Sequence, residues 1–331
     1  MRMQALQDLG HELMPIDVSP AEVQRKYKNI ITRLLKKLGY PSDLAGANGK
    51  ICQIVQKEVP DILWIDKGLT IKPATLLYVK KKLPDIRIVS YHPDDIRLPY
   101  NRPHAYFQSI PLYDVHFTTR APNVEELQAF GARKVIFGIP SWGYDVSIHR
   151  PLQVLEEDRL SLGGKVGFIG DFELDRAQQM LALAQVGIPV RIWGTHWSQW
   201  LGKHPNLMVE NRPLWANDYA RAICSFDIIL GFLRKTNRDQ HTVRSIEIPA
   251  CGAFMLAERT AEHLELFAEG KEAEFFGSTG ELIEKVRFYL KYEELRRKIA
   301  QAGRERCLRS GYDYPSRMNW MLEQVASCCT G

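Results

Sequence analysis

The sequence predicts an α/β fold of two parallel-sheet domains facing a cleft, and three observations carry that expectation. A chain of 331 residues is longer than one hydrophobic core usually serves, so two domains of ordinary size are expected. From residue 60 onward, short apolar runs rich in β-branched and aromatic residues alternate with helical stretches, the pattern of repeated βα units around a parallel sheet. Each run stops at polar residues, glycine or proline, where a buried strand hands over to a loop. Hydrophobic residues at 45% and charged residues at 25% are close to globular averages, so a folded chain without low-complexity tracts or repeats follows.

Taken in order, the opening MRMQALQDLGHEL reads as a helix that would follow a strand and a glycine-rich loop. The first domain is therefore expected to lack those two elements. Ser19, Pro20 and Glu22 then supply a cap, a first-turn proline and a capping-box acid for one helix over residues 20–38. Val23, Tyr27, Ile30, Ile31, Leu34, Leu35 and Leu38 form its apolar stripe, and Gly39 ends it. Its other face carries Arg25, Lys26, Lys28, Arg33, Lys36 and Lys37. That face reads first as solvated, and second as a patch for peripheral contact with an anionic membrane.

Strands follow at 61–66, 86–91, 115–119 and 134–140 in the first half, then at 165–170, 189–194, 206–210, 226–232, 253–258 and 273–278. The polar stretch beginning at Ser141, with its glycines and proline, reads as a linker. It sets domains of residues 1–150 and 151–331. After the last strand two helical stretches are expected, 280–311 and 314–328, the second long enough to pack back on the first domain.

No apolar run approaches the ~20 residues of a membrane span, and the N-terminus lacks a signal-peptide core, which leaves a cytoplasmic location as the expectation. Cysteines 52, 224, 251, 307, 328 and 329 show neither a CxxC pair nor zinc spacing, which suits free thiols. No metal and no cofactor are expected. A net charge of +5 allows an anionic partner without choosing one, and nucleic acid is not expected.

Ligands of doubly wound sheets bind where strands stop, so the candidates sit there. Gly170 ends one strand and precedes DFELDR, a turn into a helix that can receive a phosphate. It is not the G-x-G-x-x-G fingerprint, which argues against a dinucleotide oxidoreductase. The loop 233–241 is basic, with Arg234, Lys235 and Arg238, and calls for an anion. It leads to TVRSIEIPACG, where Thr242 or Ser245 would cap a helix containing Arg244 and Glu247. Glu247 either holds two vicinal ribose hydroxyls or pairs with Arg244 or Arg238. In the first domain Asp66, Lys67 and Gly68 end one strand, and His92, Asp94 and Asp95 end the next; both groups are placed where a base for an acceptor hydroxyl would stand. The remaining histidines, His149, His241 and His263 among them, read as surface or satisfied core residues.

Asp239 precedes Glu247 by eight positions, and the order VGFIG-D-F-E-x-x-R, IWG-T-x-W, FDIIL, TVRSIEIPACGAFMLAE resembles the CgeB or spore-maturation-protein-like glycosyltransferases. That resemblance implies the GT-B fold, with a nucleotide-sugar domain C-terminal to an acceptor domain. It implies a metal-independent transfer from a UDP-, GDP- or dTDP-sugar to a sugar, glycan or protein acceptor. Glu247 would then hold the ribose and Asp239 face the donor sugar. Arg176 would meet the diphosphate together with the amides of Thr242 and Val243, and Trp193 and Gly194 would lie near the base. Asp239 is one methylene shorter than the family's glutamate, and Ala177 to Leu181 lack its usual lysine. Rival readings are an inactive nucleotide- or sugar-binding protein of a surface or coat assembly, and a nucleotide-sugar epimerase.

Overall fold

The structure, a computed structural model, describes residues 1–26 and 29–327; Tyr27, Lys28, Cys328 and Cys329 lie outside the described residues. The chain divides into two compact units, one of Met3–Ser141 with the chain from Met318 onward, the other of Trp142–Arg317 with Met1–Arg2.

Every expected strand forms. In the first unit these are β1 (Ile62–Asp66), β2 (Arg87–His92), β3 (Val115–Thr118) and β4 (Val135–Phe137). They pair in parallel in the order β1-β2-β3-β4. Ile65 and Ile88 bury against Leu76 and Val79 of the helix Pro73–Lys82 and against Ile51 and Val55 of the helix Ala47–Lys57. Each such side chain contributes roughly 1.5–3 kcal/mol on leaving water.

The second unit holds β5 (Gly164–Ile169), β6 (Val190–Trp193), β7 (Leu207–Val209), β8 (Phe226–Gly231), β9 (Met255–Glu258) and β10 (Glu274–Phe276). They form a parallel sheet of order β10-β9-β8-β5-β6-β7. Its core joins Val166, Phe168, Ile192, Ile228, Leu230 and Leu256 to Met180 and Leu183 of the helix Leu174–Gln185. The chain runs outward from β5 to β7 and then returns to β8 on the other side of β5. The loops leaving β5 and β8 therefore diverge, and that reversal point is where doubly wound sheets bind ligands.

Two expectations are corrected. The helix expected over 20–38 is two, Ala21–Lys26 and Ile30–Lys37. Asn29 adopts an extended conformation, and its side chain accepts from the Ile31 amide at 2.9 Å, so it caps a new helix instead of continuing the old one. The stretch after β10 is likewise broken, at Tyr292 (φ −104°, ψ 74°), into Thr279–Lys291 and Glu293–Arg309. The final helix is Tyr314–Ala326; its Trp320 lies edge-on to Phe117 at 6.2 Å and covers Gly138, where a β-carbon would come within 2.5 Å of the ring.

Candidate functional site

The reversal point is built from the loop and helix after β5 and the loop and helix after β8. β5 and β6 end so close together that a β-carbon on Gly194 would stand 1.9 Å from the Gly170 carbonyl oxygen. Gly194 also has φ +143°, so only glycine is accommodated there. The Gly170 amide donates to the Trp193 carbonyl at 2.8 Å, and the Trp197 indole donates to the Gly170 carbonyl at 2.9 Å. Asp171 accepts from the Thr195 hydroxyl at 2.6 Å. These bonds to Thr195, opposed by partial burial, hold its carboxyl below the usual range.

Arg176, in the first turn of the helix Leu174–Gln185, is buried. It donates to the Asp171 carbonyl at 3.2 Å and to the Leu233 carbonyl at 3.3 Å, tying the β5 loop to the β8 loop. Its guanidinium lies 5.4 Å from the Phe168 ring centroid. Burial first, and the nearby charge of Arg244 second, bring its pKa down to about 10; it stays a cation at neutral pH. Among the described residues, the Nε of Arg176 and the Nε of Arg244 are both buried without a hydrogen-bond partner, and Arg244 has no ion pair. Two cations held together with orphaned donors are costly unless an anion joins them.

Beside this pair, the helix Arg244–Ala250 carries Glu247. The carboxylate is buried and accepts from the Tyr219 hydroxyl at 2.6 Å; His149 Nε2 lies 3.5 Å from its other oxygen. The His149 and Tyr219 rings stand perpendicular, with centroids 5.8 Å apart. The partners the carboxylate meets here are thus Tyr219 and His149. Burial lowers the pKa of His149 against the opposing pull of Glu247 and raises that of Tyr219. One lone pair on each carboxylate oxygen is left beyond these contacts.

Other expected residues are placed differently. The Trp193 ring is fully buried, donates to the Leu162 carbonyl at 2.9 Å and is flanked by Arg191 and Arg212 at 5.0 and 4.6 Å. The Thr242 amide is taken by Ser245 Oγ at 3.0 Å, and Val243, not Thr242 or Ser245, is the N-cap of the helix. The basic loop after β8 is largely neutralised: Arg234 pairs with Glu173 at 2.6 Å and Lys235 with Asp175 at 3.3 Å. Asp239 accepts from the Asn237 side chain at 2.9 Å and the Arg234 amide at 3.3 Å, which closes the loop on itself.

In the four-stranded unit, His92 is fully buried and donates through Nε2 to the Asn101 carbonyl at 2.9 Å; burial lowers its pKa to about 4. Asp95 is buried and accepts from the Arg97 amide at 2.8 Å. Both side chains are buried and engaged in these contacts. Asp94 is partly exposed and pairs with Lys67. Lys67 holds φ +63°, a conformation rare outside glycine that surrounding structure must impose.

Residues 176–323 match the family described as glycosyl transferase-like. No curated protein matches the chain. A crystal structure of a glycosyltransferase from Rickettsia africae superposes with a TM-score of 0.66 at 13% identity, covering 100% of this chain and 94% of that one. The fold is GT-B. Two further GT-B structures align similarly. Anabaena Alr3699/HepE in complex with UDP gives a TM-score of 0.57 at 14% identity over 89% of this chain and 88% of that one. Sucrose-phosphate synthase from Thermosynechococcus elongatus gives 0.60 at 12% identity over 89% and 80%.

Sequence reasoning missed several residues of this GT-B chain's reversal point. His149 and Tyr219 converge on Glu247 from distant segments, and no local pattern announces them. The order Ser245, Glu258, His263 also goes unmarked. His263 Nδ1 donates to the Glu258 carbonyl at 2.6 Å, so its Nε2 accepts from Ser245 Oγ at 2.7 Å while Ser245 Oγ accepts from the Thr242 amide. Burial lowers the His263 pKa to about 4, which keeps this relay neutral and fixes the start of the Glu247 helix. His241 and Glu262, 2.5 Å apart and buried, brace the same loop.

Proposed function

We propose that the protein is a glycosyltransferase that moves a hexose from a nucleoside-diphosphate sugar, UDP-hexose first among the candidates, to a sugar, glycan or protein acceptor. The observation that carries this reading is the Arg176 and Arg244 pair at the reversal point, two adjacent cations with unpartnered donors. Support comes from the glycosyl transferase-like match, which begins at Arg176 itself, and from the fold-related Anabaena protein, whose structures hold UDP and UDP-glucose. The run Arg244 to Gly252 favours a CgeB-like member.

In the reaction the bond from the anomeric carbon to the diphosphate oxygen breaks and its electron pair leaves with the nucleoside diphosphate, while the acceptor hydroxyl oxygen bonds that carbon and gives its proton to the acceptor-side base. Negative charge grows on that oxygen as the bond lengthens. Guanidinium groups already fixed beside it stabilise the developing charge without reorganisation, so no metal is needed for this neutralisation. Glu247 accepts from the ribose hydroxyls, its rotamer held by Tyr219 and His149, and so sets the donor's register. Asp239 faces the transferred sugar. Asp94, held by Lys67, is the acceptor-side base.

The test is nucleotide release from UDP-, GDP- and dTDP-hexoses with a panel of glycan acceptors, in EDTA. Acceptor-dependent UDP release that survives EDTA and is lost in Arg176→Ala is expected. Tight UDP binding with no release from any donor would instead favour the inactive binding protein.

A further inference from the structure

We infer that the helix Ile30–Lys37, with Leu38, docks the four-stranded unit onto an anionic lipid surface. This stands independently of the glycosyltransferase reading. Ile30, Ile31, Leu34, Leu35 and Leu38 are 81, 65, 57, 36 and 62% exposed, and no residue of the helix is buried. At about 100° per residue these side chains occupy one arc of roughly 140°. Thr32, Arg33, Lys36 and Lys37 fill the opposite side.

The helix has eight residues, and a helix shorter than ~12–15 residues draws its stability from a surface on its apolar side. Among the described residues its apolar side chains stay uncovered. The adjoining chain holds the helix at its two ends: the Lys26 carbonyl accepts from the Thr32 hydroxyl at 3.0 Å and from the Asn29 amide at 3.1 Å, and the Gly39 carbonyl accepts from the His104 amide at 3.0 Å, with the Tyr40 ring 5.6 Å from His104. Tyr40 is itself exposed, an amphipathic ring suited to a membrane boundary.

Charge selects the occupant. Arg25, Lys26, Arg33, Lys36 and Lys37 are exposed, and none makes an ion pair among the described residues; Glu22 is the acid of residues 21–40. Cations flanking an apolar stripe match anionic headgroups above acyl chains. A second copy of this chain would bring the same cations face to face across a two-fold axis, which disfavours self-pairing.

The full chain is sedimented with phosphatidylcholine vesicles prepared with and without phosphatidylglycerol. Binding at least about tenfold stronger to the anionic vesicles, weakening with salt, is expected from the two attractions together. Ile31→Asp with Leu34→Asp, and separately Lys36→Glu with Lys37→Glu, should each lower it about tenfold or more while the melting temperature stays put, because every altered side chain is exposed. Equal binding to neutral vesicles, no binding to anionic ones, or binding indifferent to both variants overturns the inference. So does a wild-type dimer that Ile31→Asp with Leu34→Asp dissolves, which would make a second copy the occupant.

Discussion

At the carboxyl ends of β5 and β6 two backbones approach so closely that Gly194 faces the Gly170 carbonyl directly, and the helices that follow β5 and β8 carry the buried arginine Nε donors without partners. The ends of β1 and β2 are finished in the opposite manner. There Asn123 donates to the Asp94 carbonyl and to Thr118 Oγ1, both at 2.9 Å, Asn101 donates to the Asp95 carbonyl at 3.0 Å, and Thr119 donates to the Pro93 carbonyl at 2.6 Å. One sheet's polar side chains close its own loops and leave the Lys67 and Asp94 pair outward; the other keeps the buried Nε atoms of Arg176 and Arg244 without a hydrogen-bond partner. Two copies of the same βα architecture thus differ in how their strand ends are finished.

The largest effect that tests the comparison comes from the glycines. Gly194→Ala puts a β-carbon into backbone that cannot step aside, and a loss above ~4 kcal/mol is expected in urea unfolding. On the other sheet Gly68→Ala meets a side-chain methyl, Ile65 Cγ2, at 2.8 Å with φ +55°, and should cost only about 1–2 kcal/mol for the left-handed backbone. Equal losses would show that the β5 and β6 ends are not uniquely tight.

Acid comes next. His92, His116 and His263 each have a folded pKa of about 4 against an ordinary value of 6.5, with burial as the leading cause. The unfolded chain therefore binds protons that the folded chain refuses. Their contribution is complete above pH 6.5 and is lost as pH falls toward 4, at about 1.4 kcal/mol per pH unit for each histidine. Stability measured across that window should fall steadily, and a flat profile contradicts the buried neutral state.

Asn123→Ala removes the bonds that knit the β2 loop and should cost ~1–3 kcal/mol, without change in nucleotide affinity. Weakened UDP binding in this variant would erase the distinction between the two sheets.

The strands were legible because those of a parallel sheet are buried on both faces and read as unbroken apolar runs. The break before Ile30 was not, because Val23 and Ile30 fall on one helical period and only the extended conformation of Asn29 reveals two helices. At the site, Arg176, Arg244 and Glu247 were legible as charges beside strand ends. The surroundings of Trp193 were not legible, because a tryptophan at a strand terminus looks the same in sequence whatever its indole meets, here the Leu162 carbonyl. His149 and Tyr219 were invisible, since their meeting at Glu247 is made by folding alone.

The central claim, that Arg176 meets a diphosphate and Glu247 a ribose, is tested most directly by calorimetric titration of Arg176→Ala and Glu247→Ala with uridine, UMP and UDP. A hydrogen bond to a charged group contributes about 1.5–3 kcal/mol, or roughly ten- to a hundredfold in affinity. Arg176→Ala should weaken UDP by that factor, UMP less, and leave uridine nearly unchanged, whereas Glu247→Ala should weaken all three alike. An Arg176→Ala loss equal across the three ligands, or a Glu247→Ala protein that melts lower yet binds as tightly as the wild type, would contradict the account.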